Sequence, residues 1–235
     1  MPKILITGGC GFVGSNLCLF LKKNLKNAKI FSLDNLKKRH SKINAIRLKK
    51  NGIKNFNVDV NNYKKIIKLS KYDYIIDCCA EPAVENSRQN SKKVIDINLN
   101  GTINLLEKIK KDKSRLIFVS SSRVYPIKET YKYKMQNKLF DENSNTIGNN
   151  TLYGATKLSS EIFIKEYNYA FNTNYLIFRS GLIYGPWQFG KVEQGLISLW
   201  LLKHYFKQKL NYIGFNGTGN QIRDLLYIDD FNKLI

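Results

Sequence analysis

Four glycines within seven residues follow the first β-branched run of the chain, where Lys3-Ile4-Leu5-Ile6 leads into Thr7-Gly8-Gly9-Cys10-Gly11-Phe12-Val13-Gly14. Glycines at 8, 11 and 14, or equally at 9, 11 and 14, allow a sharp turn and a close approach of backbone to a phosphate. The helix that opens after them presents unpaired N–H groups and its positive end. Asp34 closes the next strand-like run, about 20 residues further on, the interval at which a carboxylate holds adenosine ribose hydroxyls. Strand, glycine turn, helix, strand and carboxylate in that order predict a nucleotide-binding α/β unit.

The rest of the chain repeats the alternation. Short β-branched runs at Lys3–Thr7, Lys29–Leu33, Asn55–Val58, Tyr72–Asp77, Arg115–Val119 and Tyr175–Phe178 read as strands. Helical patterns fall between them at Phe12–Asn27, His40–Asn51, Asn62–Ser70, Ser91–Lys111 and Leu152–Phe171. The fold class is α/β, a doubly wound parallel sheet of the Rossmann type, whose ligands lie at the carboxyl ends of the strands. Residues 1–183 are expected to form this domain. The polar stretch Pro126 to Thr151 is long enough to be a functional loop. After Tyr184 the alternation stops, and residues 184–235 read as a small, incomplete C-terminal substrate lobe. Its expected parts are a helix near Val192–Lys207, a hairpin pairing Asn211–Phe215 with Gln221–Tyr227, and a last helix capped by Asp229 or Asp230, within which the sequence stops.

With 235 residues, 43% of them hydrophobic, the chain can bury a full core. No apolar run approaches the ~20 residues of a membrane span, and Met1-Pro2-Lys3 enters a strand without a signal peptide, so a cytoplasmic protein is expected. Cys10, Cys18, Cys78 and Cys79 have no metal or disulfide spacing and are expected to be buried, reduced thiols; no metal site is expected. The net charge of +21 is spread over the solvent faces of helices. Nucleic-acid binding is therefore not expected, although an anionic substrate gains from the field. A homo-oligomer is compatible with the chain.

Tyr153 and Lys157 stand four apart at the start of a helix, which puts both side chains on one face. A phenol exchanges a proton at neutral pH only when a neighbouring cation stabilises its phenolate. Ser120-Ser121-Ser122 follows the strand Arg115–Val119 and so reaches the same sheet edge, where a hydroxyl can share that proton. Asp34 favours NAD over NADP because a carboxylate repels the 2′-phosphate; Lys37, Lys38 and Arg39 pull the other way.

On these motifs the chain resembles the extended short-chain dehydrogenase/reductase superfamily, within it the NAD-dependent sugar epimerases and dehydratases. The resemblance implies Ser121, Tyr153 and Lys157 as the catalytic triad. It implies Gly8, Gly11, Phe12, Val13 and Gly14 at the pyrophosphate, Asp34 and Asn35 at the ribose, and Asp59 and Val60 on the adenine side. Cys79 and Ala80, in the segment Cys78–Pro82, would line the cofactor, with Asn98 bracing the site and Tyr153 and Lys157 also contacting the cofactor. Glu81, Ser122, Arg123, Gln188, Gln194 and Arg223 would face a nucleotide-diphosphate sugar. Gln188-Phe189-Gly190, Gln194-Gly195 and the segment Gly219 to Asp224 resemble the CDP-paratose 2-epimerase branch, in which Arg223 would pair with the diphosphate. Pro126 and Leu182 depart from the family pattern, at positions where glycine and asparagine are usual.

In dehydratases of this kind an Asp-Glu pair follows the catalytic threonine and eliminates water. Here Ser122 and Arg123 stand in its place and cannot perform carboxylate chemistry. The resemblance thus implies an epimerase that oxidises a sugar carbon transiently and reduces it from the opposite face, the cofactor carrying the redox step. A reductase, dehydrogenase or dehydratase of the same superfamily is the nearest alternative. A non-catalytic scaffold binding RNA or protein is the alternative from another class.

Overall fold

The computed structural model describes residues 1–82, 90–126, 141–189, 195–212, 217–219 and 223–235. Strands β1 (Lys3–Thr7), β2 (Lys29–Leu33), β3 (Lys54–Phe56), β4 (Tyr74–Asp77), β5 (Arg115–Val119) and β6 (Asn174–Phe178) form one sheet in the order β3-β2-β1-β4-β5-β6. Every neighbouring pair is parallel. The register aligns Leu5 with Ile75 and Ile75 with Leu116, so one face collects these three with Phe118. The other face collects Ile4, Ile6, Ile30 and Ile76. Both faces are covered, which is why these strands read as continuous apolar runs and not as alternating ones.

The helices that cover them are α1 (Phe12–Asn24), α2 (Arg39–Lys50), α3 (Tyr63–Ile67), α4 (Ser91–Ile95), α5 (Gly101–Asp112) and α6 (Leu152–Phe171). Leu17, Cys18, Leu21 and Leu48 from α1 and α2 pack on one face of the sheet. Leu105, Leu106, Ile109 and Ile164 from α5 and α6 pack on the other. The expected helix Ser91–Lys111 is interrupted by a π-helical turn at Asp96–Asn100, which sends Asn98 into the interior. Several expected elements are shorter than their patterns, β3 and α3 among them. Val58 N–H bonds back to the Phe56 carbonyl and turns the chain out of the sheet, and Asn62 caps α3 by accepting from Lys65 N–H.

The last segment contains β7 (Leu182–Tyr184), α7 (Leu196–Tyr205), β8 (Leu225–Tyr227) and α8 (Ile228–Leu234). Here the sequence reading needs correction. Part of the expected hairpin, including Gln221 and Ile222, lies outside the described residues, but Leu225–Tyr227 pairs in parallel with Leu182–Tyr184. The apolar side chains decide this. Ile183, Leu226, Ile228 and Phe231 close over Phe12, Val13 and Val119, so β7, β8 and α8 cap the start of α1. Tyr227 occupies the cap of α8, and Asp229 and Asp230 lie in its first turn, where their charge meets the positive end of the helix. The expectation of four buried thiols also needs correcting: Cys10 and Cys18 are buried, whereas Cys78 and Cys79 are half-buried because β4 ends there at the cleft. No helix among the described residues is long and apolar enough to cross a membrane.

Ile75 is fully buried at the centre of the sheet. Ile75→Ala should lower the unfolding free energy by about 2–5 kcal/mol through lost burial and a residual cavity. Urea titration checks this, and a loss below about 1 kcal/mol would contradict the packing described.

Candidate active site

The strand order reverses between β1 and β4, so a crevice opens at the carboxyl ends of these two neighbours. The glycine turn fills the β1 side. Gly8 has φ +61°, a left-handed conformation, and a Cβ there would lie 2.9 Å from the Cys78 carbonyl oxygen across the crevice. A Cβ on Gly14 would lie 2.4 Å from the Gly8 carbonyl oxygen. Gly11 caps α1 without a side chain, its own N–H donating to the Gly8 carbonyl at 2.8 Å. The N–H groups at the start of α1, those of Phe12, Val13 and Gly14, have no intrahelical acceptor and form a cradle for an anion. The Phe12 and Val13 side chains pack away from it against Val119 and Ile228.

Asp34, at the end of β2, is oriented by two N–H donors. Cys10 N–H donates to Oδ2 at 3.2 Å and Leu36 N–H to Oδ1 at 2.9 Å. Burial pushes its carboxyl above the ordinary range, opposed by these donors and by the charge of Lys38. Asp59 accepts from Asn35 Nδ2 at 2.9 Å, from Lys37 Nζ at 2.8 Å and from Asn61 N–H at 3.0 Å. Burial pushes the Asp59 carboxyl up, but these donors outweigh it and hold the group below its ordinary value. A pocket of about 360 Å³ opens beside Asn35, Lys37, Asp59, Asn90 and Lys93. Val60 faces the core: a Cβ on Gly101 would lie 2.7 Å from its Cγ2, and Asn104 Nδ2 donates to its carbonyl at 2.8 Å.

The residues of the expected triad come from β5 and α6, and a glycine brings them together. A Cβ on Gly154 would stand 2.0 Å from the Arg123 carbonyl oxygen, so the first turn of α6 rests directly on the 3₁₀ turn Ser122–Val124. Thr151 caps α6 by accepting from Gly154 N–H at 3.0 Å, and Asn150 Nδ2 donates to the Val124 carbonyl at 3.1 Å. Ser121 begins the 3₁₀ turn. Its Oγ accepts from Arg123 N–H at 3.1 Å, leaving the hydroxyl hydrogen to donate. Tyr153 is half-buried in the first turn of α6. Lys157, one helical turn on, is 2% exposed, donates to the Val119 carbonyl at 2.8 Å and lies 4.3 Å from the Phe118 ring centroid. Its charge is felt by the thiols of Cys78 and Cys79, so the ammonium sits between the ends of β4 and β5. Burial nevertheless pushes both thiols well above the ordinary range.

Asn98 is completely buried and acts through its neighbours. Its Oδ1 accepts from Glu81 N–H at 2.8 Å, while its Nδ2 donates to the Glu81 carbonyl at 3.3 Å and to Thr156 Oγ1 at 3.1 Å. It therefore ties the segment after β4, with Cys79 and Ala80, to the helix that carries Tyr153 and Lys157. The Glu81 carboxylate, expected to face the sugar, is held by Lys38 at 3.4 Å and Lys93 at 3.1 Å. Gln188 donates to the Ile183 carbonyl at 3.0 Å and accepts from Ser198 Oγ at 2.9 Å. Arg223 lies just before β8, and Gln194 is outside the described residues.

Two buried carboxylates escaped the sequence reading. Asp77 accepts from Thr7 Oγ1 at 2.6 Å, Cys79 N–H at 3.0 Å and Thr102 Oγ1 at 3.1 Å, joining β1, β4 and α5 beneath the crevice. Glu161 accepts from Ser120 Oγ and pairs with Arg179, whose NH2 lies 2.7 Å from Oε2; Arg179 also donates to Tyr125 OH at 3.2 Å. The charge-assisted bonds to Glu161 raise the Arg179 guanidinium's pKa further. These contacts hold the end of β5 from behind. Glu161 lies four residues after Lys157 on α6, and that spacing is the one signal that could have found it.

A profile of the NAD dependent epimerase/dehydratase family matches residues 4–235. The chain belongs to that family. Among relatives, CDP-paratose 2-epimerase of Salmonella typhi is 30% identical over 99% of this chain and 73% of its own length. The dTDP-D-glucose 4,6-dehydratase of Dictyostelium discoideum is 35% identical over 98% of this chain, which spans only 54% of that protein. Among solved structures, UDP-glucuronic acid 4-epimerase from Bacillus cereus, in complex with UDP-glucuronic acid and NAD, superposes with a TM-score of 0.81 at 27% identity, over 98% of this chain and 71% of that one. The glycine cradle and the Asp34 carboxylate fit the cofactor of the family, for the first could hold a pyrophosphate and the second ribose hydroxyls.

The protein should bind NAD at least about tenfold more tightly than NADP, a difference of ~1.4 kcal/mol; titration calorimetry giving equal affinities would count against the role of Asp34. Gly14→Ala should weaken NAD at least about tenfold, because backbone at Gly8 cannot yield to the added methyl group. Wild-type affinity in that variant would show that the turn has room.

Proposed function

We propose that this chain carries the NAD-binding and catalytic residues of an epimerase of nucleotide-diphosphate sugars, with CDP-paratose 2-epimerase as a model of its reaction. The observation that carries this reading is the docking of α6 on the 3₁₀ turn after β5. It puts Ser121, Tyr153 and Lys157 at one sheet edge, with Ser122 and Arg123 where an elimination pair would stand. When bound, NAD supplies a reversible hydride acceptor whose transferred hydrogen does not exchange with water.

The side chains of the chain account for the proton and the orientation. Tyr153 takes the proton of the sugar hydroxyl as that carbon is oxidised and gives it back on reduction, with Ser121 bridging phenol and sugar. Lys157 stabilises the phenolate through its charge, and the Val119 carbonyl fixes where that charge lies. Glu161 and Arg179 keep the strand end that carries Ser120 and Ser121 from shifting, since misplacement of reacting groups is costly. Residues 184–235 contribute the sugar-facing side, Arg223 supplying the planar fork suited to a diphosphate. The enzyme works in the cytoplasm on a soluble, anionic substrate, which the net charge of +21 attracts.

With a nucleotide-sugar that turns over, reaction in heavy water should leave the inverted carbon unlabelled and consume no net NAD. Deuterium at that carbon, read by mass spectrometry, would mean proton abstraction instead. Tyr153→Phe removes only the hydroxyl, so NAD affinity should persist while the rate falls at least ~10²-fold, the low end for a general acid–base group. Near-normal turnover by that variant would require another proton carrier.

A further inference from the structure

The loop after β2 and the first residue of α2 place Lys37, Lys38 and Arg39 directly behind Asp34 and Asn35, in a chain whose net charge is +21. A 2′-phosphate on the adenosine ribose would meet cations at this place, and the field of the whole chain draws the more highly charged dinucleotide. One carboxylate at Asp34 therefore discriminates against an unfavourable background. The structure shows where the nearest cations are committed. Lys37 Nζ is 2.8 Å from Asp59 Oδ2, and Lys38 Nζ is 3.4 Å from Glu81 Oε1.

Glu81 is built for this. It is 4% exposed, its backbone N–H and carbonyl are both bonded to the buried Asn98 side chain, and Lys93 of α4 holds its other oxygen at 3.1 Å. Lys38 reaches it from the opposite wall of the adenosine end, and its charge is felt by both Asp34 and Cys79. The ammonium is thus held at Glu81 while its charge still acts on the Asp34 carboxyl. Swinging it toward a phosphate would leave a buried carboxylate with Lys93 alone, and partly unpaired buried charge is costly. Glu81 serves no step of the proton chemistry above.

We propose that Glu81 is a cofactor-specificity residue: by holding Lys38 across the adenosine end it denies a 2′-phosphate the cation it would need, and so completes the selection for NAD begun by Asp34. The inference rests on the NAD assignment and goes beyond it. Asp59 holds Lys37, and Glu81 holds Lys38 together with Lys93, so the two lysines nearest Asp34 are matched by carboxylates inside a strongly basic protein.

Calorimetric titration of NAD and NADP into the wild type and three variants, at one fixed salt concentration, tests this. Glu81→Gln should tighten NADP by about fivefold, the scale of one partly exposed ion pair, while NAD changes less than about twofold. Adding Lys38→Gln to Glu81→Gln should abolish that gain. Lys38→Gln alone should move NADP by less than about twofold, because Lys38 is already committed. A parallel loss of both dinucleotides in Glu81→Gln would make Glu81 merely structural and overturn the proposal, as would an unchanged ratio. If Glu81→Gln does not fold, Lys38→Gln alone decides: a loss of NADP affinity of about tenfold would show Lys38 to be a phosphate ligand already and sink the idea. A wild-type chain that binds neither dinucleotide would overturn the cofactor assignment and this inference with it. NAD binding with a ratio indifferent to Glu81 would overturn the inference alone.

Discussion

Three close approaches of backbone to backbone shape the candidate site. Gly14 lies against Gly8, Gly8 against Cys78, and Gly154 against Arg123. The first contact folds the anion cradle, the second closes the crevice between β1 and β4, and the third seats α6 on the end of β5. Each needs the missing Cβ, because peptide groups cannot move aside as a flexible side chain can. The glycine turn and the expected triad are therefore positioned by the same device, applied at opposite sides of one sheet edge.

Charge is handled by local neutralisation. The Glu161 carboxylate, buried behind the end of β5, is matched by Arg179, and Lys108 by Asp112 with the Leu69 carbonyl. Asp77 has hydroxyl and amide donors instead of a cation. Lys157 differs from these: it is buried against a carbonyl and an aromatic face, with no carboxylate partner among the described residues. Its positive charge remains available to the crevice, which is what stabilisation of a phenolate asks for. The surplus of basic residues sits elsewhere, largely on helix surfaces, where solvent screens it.

The fold was legible because parallel strands buried on both faces leave long apolar runs, and the glycine turn names the first crossover. Strands β1, β2 and β5 and helix α6 coincide with their patterns. Short elements were less legible. β7 and β8 are too brief to show a period, and their parallel pairing depends on apolar side chains that meet α1, a contact between residues far apart in the chain. The π-helical turn was hidden for a related reason, since a helix that admits one extra residue keeps its apolar stripe.

By itself the sequence determined the class of fold, and it placed the glycine turn, the acidic residue behind it and the serine, tyrosine and lysine at one sheet edge. These are local: each follows from residue type and spacing within one strand, turn or helix. Only the tertiary structure decided which charges are spent and which are left to act. Lys37 and Lys38 read as rivals to Asp34 in sequence, yet they are held by Asp59 and Glu81, which lie 22 and 43 residues away along the chain. Glu81 reads as a sugar contact, yet Lys38 and Lys93 hold its carboxylate from two different elements. Electrostatic partnership depends on distance and burial, and crossovers of a parallel sheet bring together side chains that no spacing along the chain can pair.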